Sequence, residues 1–259
     1  MKSTPNLIVG MATGMYSNIE SMEYFVKSIR MFNNDEVIII TENKDKDFIK
    51  FFDKYNINLH FIDENIPTEN VIFKGWSLAK EVIMLNYDLY DNIILSDTRD
   101  VIFQGDPFKY LSGKLLDLCL ETKSIKDCPD WNSRWIKTIY GQQMFEKIKE
   151  NYIICAGITA GKKDSIIQLC DLMLKEHDRL GKDFVDQAYL NVMFAENILP
   201  EYVLHHTGES FVATIGSSFG DTLLDNEGYL ITKSGMKPSV VHQYDRHNDK
   251  AHIFLENIK

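Results

Sequence analysis

Apolar residues come in short runs separated by amphipathic stretches. "NLIVGMAT" (6–13), "DEVIIITEN" (35–43), "INLHFID" (57–63) and "NIILSD" (92–97) are aliphatic runs of strand length. Between them, "NIESMEYFVKSIRMFN" (18–33), "DKDFIKFFDKYN" (45–56) and "GWSLAKEVIMLNYDLY" (75–90) carry apolar residues at helical spacing, and Asn18 is placed to cap the first. Strands alternating with helices predict a parallel sheet wound on both faces. In such sheets ligands gather beyond the C-terminal strand ends. Thr13 and Gly14, Thr41 to Asn43, and Asp97 to Asp100 are all expected there.

The second half is less regular. "LLDLCLET" (115–122) and "NYIICAGITAG" (151–161) read as strands, and residues 123–150 as a polar segment with aromatic islands, "WNSRWIKTIYG" among them. "SIIQLCDLMLKEHDRLG" (165–181) and "DFVDQAYLNVMFAEN" (183–197) predict helices. "KPSVVHQYDRHN" (237–248) ends a strand in a polar, ionisable cluster. No repeat or low-complexity linker interrupts the chain, so one domain is expected over residues 1–259.

Composition narrows the options. The 259 residues are 44% hydrophobic and 25% charged, ordinary for a globular protein. A net charge of −10 argues against nonspecific nucleic-acid binding. It leaves room for a phosphate ligand, because a bound cation reverses the local field. Cys119, Cys128, Cys155 and Cys170 form no CxxC pair, which fits reduced thiols in a cytoplasmic protein. No apolar run reaches the ~20 residues of a membrane span. A soluble cytoplasmic protein is expected, with at most peripheral membrane association.

The chemistry concentrates in "IILSDTRDVIFQGDPF" (93–108), where an apolar run gives way to Asp97, Arg99 and Asp100. Two carboxylates at a strand end are hard oxygen donors suited to Mg or Mn. Three positions apart in a straight strand they would face opposite ways, so they converge only if the chain turns at Thr98–Arg99. The plain alternative is a solvated hairpin turn with an Asp97/Arg99 pair. His242, after a strand-like run, is a suitable metal ligand or a structural histidine. Asp186 is a helix cap or a reactive carboxylate, and Gln187 and Asn191 share one helical face. Trp131, Trp135 and Tyr140 either stack on sugars or anchor their segment to the core.

In this order the segments resemble the GT-A family of nucleotide-sugar glycosyltransferases, over roughly Leu7 to His247. "IILSDTRDVIFQGDPF" looks like the family's DxD element, "ICAGITAG" its sugar-site strand, "DFVDQAYLN" its DQ helix, and "VVHQYDRH" the C-terminal histidine segment of the glycogenin-like branch. The resemblance implies an α/β fold with a GT-A-like, Rossmann-type mixed sheet flanked by helices. Residues 1–108 would form the nucleotide half and 109–259 the sugar and acceptor half. It implies a divalent cation, Mn2+ before Mg2+, on Asp97, Asp100 and His242. Donor contacts would come from Thr13, Gly14, Tyr16, Lys80, Arg99 and Gly157, and Asp186 and Gln187 would lie at the reacting carbon. The partners implied are a nucleotide-sugar donor, UDP-linked by base rate, and a saccharide or glycoprotein acceptor. The sequence departs from the pattern at D-T-R-D, at Cys155 in place of the family's Asn, and in lacking Lys-Pro-Trp after the histidine. A nucleotidyltransferase acting on a sugar phosphate, or a noncatalytic saccharide-binding protein of the same fold, are the alternatives.

Overall fold

A computed structural model describes residues 5–63, 71–113, 115–182, 185–206, 210–216, 222–246, 256 and 258. The first half follows the predicted alternation: β1 (Asn6–Met11), α1 (Ile19–Phe32), β2 (Glu36–Thr41), α2 (Lys46–Lys54), β3 (Asn58–Phe61), α3 (Val71–Leu85) and β4 (Asn92–Ser96). Then come β5 (Val101–Phe103), β6 (Leu116–Ser124), α4 (Arg134–Ile148), β7 (Tyr152–Lys162), α5 (Lys163–Leu180) and α6 (Asp186–Ala195). Short strands close the chain: β8 (Tyr202–His205), β9 (Val212–Thr214), β10 (Thr222–Leu224), β11 (Leu230–Thr232) and β12 (Val240–His242).

Seven strands make the main sheet, in the order β3-β2-β1-β4-β7-β6-β8. The β3-β2-β1-β4 half is parallel. β7 runs antiparallel to both β4 and β6, so the sheet is mixed and β6 points the same way as β4. The result is a single Rossmann-like α/β domain.

Alternate strand residues supply two cores. Leu7, Val9, Ile38, Ile40, Ile93 and Leu95 pack with Phe73, Val82, Ile166 and Tyr189 from α3, α5 and α6. Their neighbours Ile8, Val37, Ile39 and Ile94 pack on the other face with Phe25, Ile29, Phe48 and Phe52 from α1 and α2. Each such fully buried side chain contributes about 1.5–3 kcal/mol relative to exposure. Period-two alternation, hidden because both sets are apolar, therefore builds a sheet covered on both sides.

Three boundaries differ from the sequence reading. The helix expected at 75–90 runs over Val71–Leu85, and the Asn86 side chain caps it by donating to the Val82 carbonyl at 2.8 Å. The segment expected only as polar with aromatic islands contains α4, whose helical path breaks at Gly141 (φ 85°, ψ 171°). That break in the left-handed region spoils any continuous apolar stripe. The helix expected at 183–197 spans Asp186–Ala195, and Asp183 and Phe184 lie outside the described residues, as does His247.

The runs Ile93–Leu95 and Val101–Phe103 do not form a hairpin. β4 lies in the main sheet, whereas β5 joins a second sheet in the order β5-β12-β9. The chain crosses between sheets at residues 97–100.

Candidate metal centre in the sheet-edge cleft

The crossing between sheets is the bend that the two aspartates require. Thr98 is buried and donates its hydroxyl to the Met11 carbonyl at 2.7 Å, which pins the turn to the end of β1. The Asp97 N–H donates to the Gly157 carbonyl at 2.7 Å, extending the β4–β7 ladder one step past β4. β12 pairs antiparallel with β5 so that His242 stands opposite Val101, and the Gln243 N–H donates to the Asp100 carbonyl at 2.7 Å. Strand register thus carries an imidazole from residue 242 to a carboxylate at residue 100.

One ligand atom each from Asp97, Asp100 and His242 lie within 4.8 Å of one another. His242 Nε2 is 3.3 Å from Asp97 Oδ2 and 3.9 Å from Asp100 Oδ1. Nε2 is sealed from solvent and makes no well-formed hydrogen bond, although it faces both carboxylates. On the other side of the ring, Cys155 Sγ and Thr214 Oγ1 each lie 3.3 Å from Nδ1. Burial works to lower the His242 pKa, but Cys155, Asp97 and Asp100 outweigh it and hold it well above the ordinary histidine value. Asp100 is raised by its own burial and by Asp97, against the pull of His242 and Arg99. Oxygen and imidazole donors crowded this way fit a hard divalent cation.

Gly157 explains its own identity. A Cβ there would lie 2.5 Å from both Asp97 Oδ2 and His242 Cε1. Any side chain at 157 would occupy the space between two of the ligands.

Around the cluster opens a cleft of about 850 Å³. Thr13, Tyr16, Arg99, Gly157, Asp186 and Gln187 line it along with the cluster. The cations are already engaged. Arg99 bonds to Asp245 and, at 3.2 Å, to Asp100, and its guanidinium lies over the Tyr16 ring at 5.3 Å. Arg99 is therefore held by Asp100 and Asp245 rather than by Asp97. Arg246 approaches Asp100 at 3.9 Å and also lines the cleft.

Asp186 is the first residue of α6, not its cap. Its Oδ1 accepts from the Gln187 N–H at 2.8 Å and its Oδ2 from Trp76 Nε1 at 3.3 Å. Burial, with Asp97 nearby, pushes its pKa up to about 6. The Gln187 side-chain oxygen accepts from the Ala156 N–H at 3.1 Å, and its amide nitrogen donates to Glu121 at 3.1 Å and Asn132 at 3.3 Å. Asn191, one turn on, is buried and bonds both the N–H and the carbonyl of Ile154, which staples α6 to β7.

Two of the anticipated donor contacts stand apart. Lys80 pairs with Asp171 of α5 at 2.5 Å and is not part of the cleft lining. Gly14 lies outside the lining too, its N–H donating to Glu42 at 2.7 Å. Conversely, Glu121 and Asn132 line the cleft beside Gln187 and were not anticipated. Glu121 is buried near the end of β6, and that burial raises its pKa. A carboxylate inside an otherwise apolar strand run, "LCLET", was the one available signal.

All four cysteines are free, with Cys128 the least buried. Among the described residues no helix is long and apolar enough to cross a membrane. The chain matches no model of a known protein family and no curated protein, so what the cleft does must be read from its geometry.

Proposed function

We propose that the protein is a divalent-cation-dependent glycosyltransferase of GT-A type. It would move a sugar from a nucleotide-diphosphate sugar, UDP-linked as the first donor to test, to a saccharide or protein acceptor. One observation carries this reading: Asp97, Asp100 and His242 converge inside a cleft at the C-terminal strand edge. The hydrogen-bond-free, buried Nε2 of His242 supports a cation there, with Mn2+ ahead of Mg2+ because an imidazole joins the carboxylates. When bound, such a cation neutralises charge developing on a departing diphosphate.

In the transfer, the bond from the sugar's anomeric carbon to the diphosphate oxygen breaks and its electron pair leaves with the diphosphate. An acceptor hydroxyl oxygen bonds to the same carbon and gives up its proton. Arg99 and Arg246 supply fixed positive charge beside Asp100, where phosphate oxygens would sit. Thr13 and Tyr16 wall the end of the cleft that a nucleotide would fill. Asp186, at about 6, is ionised at neutral pH and can take a proton. Glu121, Asn132 and Gln187 form a hydrogen-bonded floor suited to sugar hydroxyls. A cytoplasmic location belongs to the same reading.

The test is release of nucleoside diphosphate from a panel of nucleotide sugars with Mn2+. Turnover that disappears in Asp100→Asn, with folding intact, is the expected result. Pyrophosphate released from a nucleoside triphosphate and a sugar phosphate would identify a nucleotidyltransferase instead. Glycan binding without metal or donor binding would leave a noncatalytic saccharide-binding protein.

A further inference from the structure

The turn Pro129–Ser133 follows β6 and holds its middle residue out over the cleft. Trp131 is 56% exposed, while its neighbours Asn132 and Ser133 are each 2% exposed. Both neighbours are tied down. Asn132 Oδ1 accepts from the Gln187 amide at 3.3 Å, and the Ser133 hydroxyl donates to the Ile125 carbonyl at 2.6 Å. The indole is thus displayed on a stiff base. It is braced by Trp135, with ring centroids 5.7 Å apart, and by the Arg134 guanidinium 5.4 Å from the ring. Leaving more than half of an indole in water forgoes a large hydrophobic gain.

The strands that lead toward Tyr16 and toward this turn, β1 and β6, are not neighbours in the sheet. β1 and β6 are separated by β4 and β7, about 14 Å at about 4.8 Å per strand, and the candidate metal cluster stands between them. Tyr16 is joined to the cluster through Arg99, whereas Asn132, next to Trp131, bonds Gln187, which in turn bonds Ala156 beside Gly157. A donor lying on the Tyr16 side leaves the Trp131 side for whatever receives the sugar. An apolar ring face beside hydrogen-bonding Arg134, Asn132 and Glu121 matches a saccharide, which presents apolar C–H faces edged by hydroxyls.

We propose that Trp131, braced by Trp135 and flanked by Arg134, is the stacking platform of a carbohydrate acceptor subsite. This rests on the glycosyl-transfer reading for the direction of the reaction, but the platform can be tested without turnover. The full-length protein is applied to an array of oligosaccharides covering α- and β-linked glucose, galactose, mannose and N-acetylhexosamines. UDP with Mn2+ is measured separately by thermal shift. The expected result is retention of one or more glycans, about tenfold weaker in Trp131→Ala and largely restored in Trp131→Phe, with the UDP–Mn2+ shift kept in both. Equal glycan retention by Trp131→Ala overturns the platform. So does a wild-type protein that binds UDP–Mn2+ but no glycan, or a dimer that dissociates in Trp131→Ala, which would make the indole a protein contact. Trp131-dependent glycan binding without any UDP–Mn2+ shift keeps the platform and removes UDP as the donor nucleotide.

Discussion

Among the described residues, two histidine–aspartate pairs, a part-buried ring on a buried carboxylate and a buried ring beside an exposed one, are built to opposite ends. In the first, His205 of β8 meets Asp117 of β6 at 2.6 Å, and the Ser112 N–H donates to the same carboxylate oxygen at 2.9 Å. In the second, His242 meets Asp97 at 3.3 Å, and its buried Nε2 has no hydrogen bond. The first pair is joined by a direct short bond, although Asp117 Oδ2 is also buried without a partner, and among the described residues no third histidine, cysteine or carboxylate joins it in a metal-ligating cluster. The second stays open because Asp100 and Asp97 both face it across the space Gly157 leaves. A short hydrogen bond between two ionisable groups marks a fastener. A gap faced by an unsatisfied buried ring nitrogen and two carboxylates marks a place for something else.

The largest effect that separates the two pairs should be on metal binding. His242→Ala should weaken Mn2+ binding by about 100-fold or more, since a lost ligand costs at least what outer-shell changes can. His205→Ala should leave it unchanged. Calorimetric titration of Mn2+ into each variant measures both, and equal affinities in the two would erase the distinction.

Stability should show the reverse order. Asp117→Ala removes the buried acceptor shared by the Ser112 N–H and the His205 imidazole, at about 2 kcal/mol and a correspondingly lower melting point. Asp100→Asn removes a charge whose burial is unfavourable, so without metal its melting point should be no lower than wild type. Thermal melts in the presence of a chelator decide this. A drop in Asp100→Asn as large as that in Asp117→Ala would mean that both carboxylates are structural.

How much of this was legible from the chain follows from what each contact depends on. The strands β1, β2 and β4 announce themselves because each is a continuous buried run, and the turn at 97–100 because charge interrupts one. His242 is visible as a residue type, but its meeting with Asp100 depends on pairing between β5 and β12, three residues each. Strands that short carry no periodicity, so the register that builds the centre cannot be read locally. Lys80 shows the opposite failure, since the helix position was right but Asp171 on α5 claims the side chain. Glu121 was lost inside an apolar run, and α4 behind its glycine break.

Asp186 provides a smaller test with a defined pH window. Its pKa rises from the ordinary 3.8 to about 6, so the unfolded chain loses its proton first as pH increases. Stability present below pH 4 is therefore lost through about pH 6 and then levels off. At about 1.4 kcal/mol per pH unit the gap is worth at most about 3 kcal/mol, and its partial exposure brings the expected loss to about 2 kcal/mol. In chelator, wild type should fall relative to Asp186→Asn between pH 4 and 6.5. Parallel curves for the two proteins would show that the carboxylate is not desolvated.

The smallest effect sharpens why the open pair stays open. His242 can offer Nε2 only if the ring is held by its other nitrogen, and Thr214 and Cys155 both lie at 3.3 Å from Nδ1. β9 pairs with β12 so that Thr214 stands directly opposite His242, which fixes the hydroxyl beside the ring. Thr214→Val preserves shape and removes that oxygen, and should weaken Mn2+ binding by about tenfold, the low end of outer-shell changes. Because two groups share the task, Cys155→Ala should act alike, and the double variant should lose more than either alone. At the closed pair, ring orientation is set by Asp117 itself, so Phe211→Leu, which alters an edge contact of His205, should leave Mn2+ affinity untouched. If Thr214→Val binds Mn2+ as tightly as wild type, the imidazole is held by packing alone and the shared 3.3 Å contacts orient nothing.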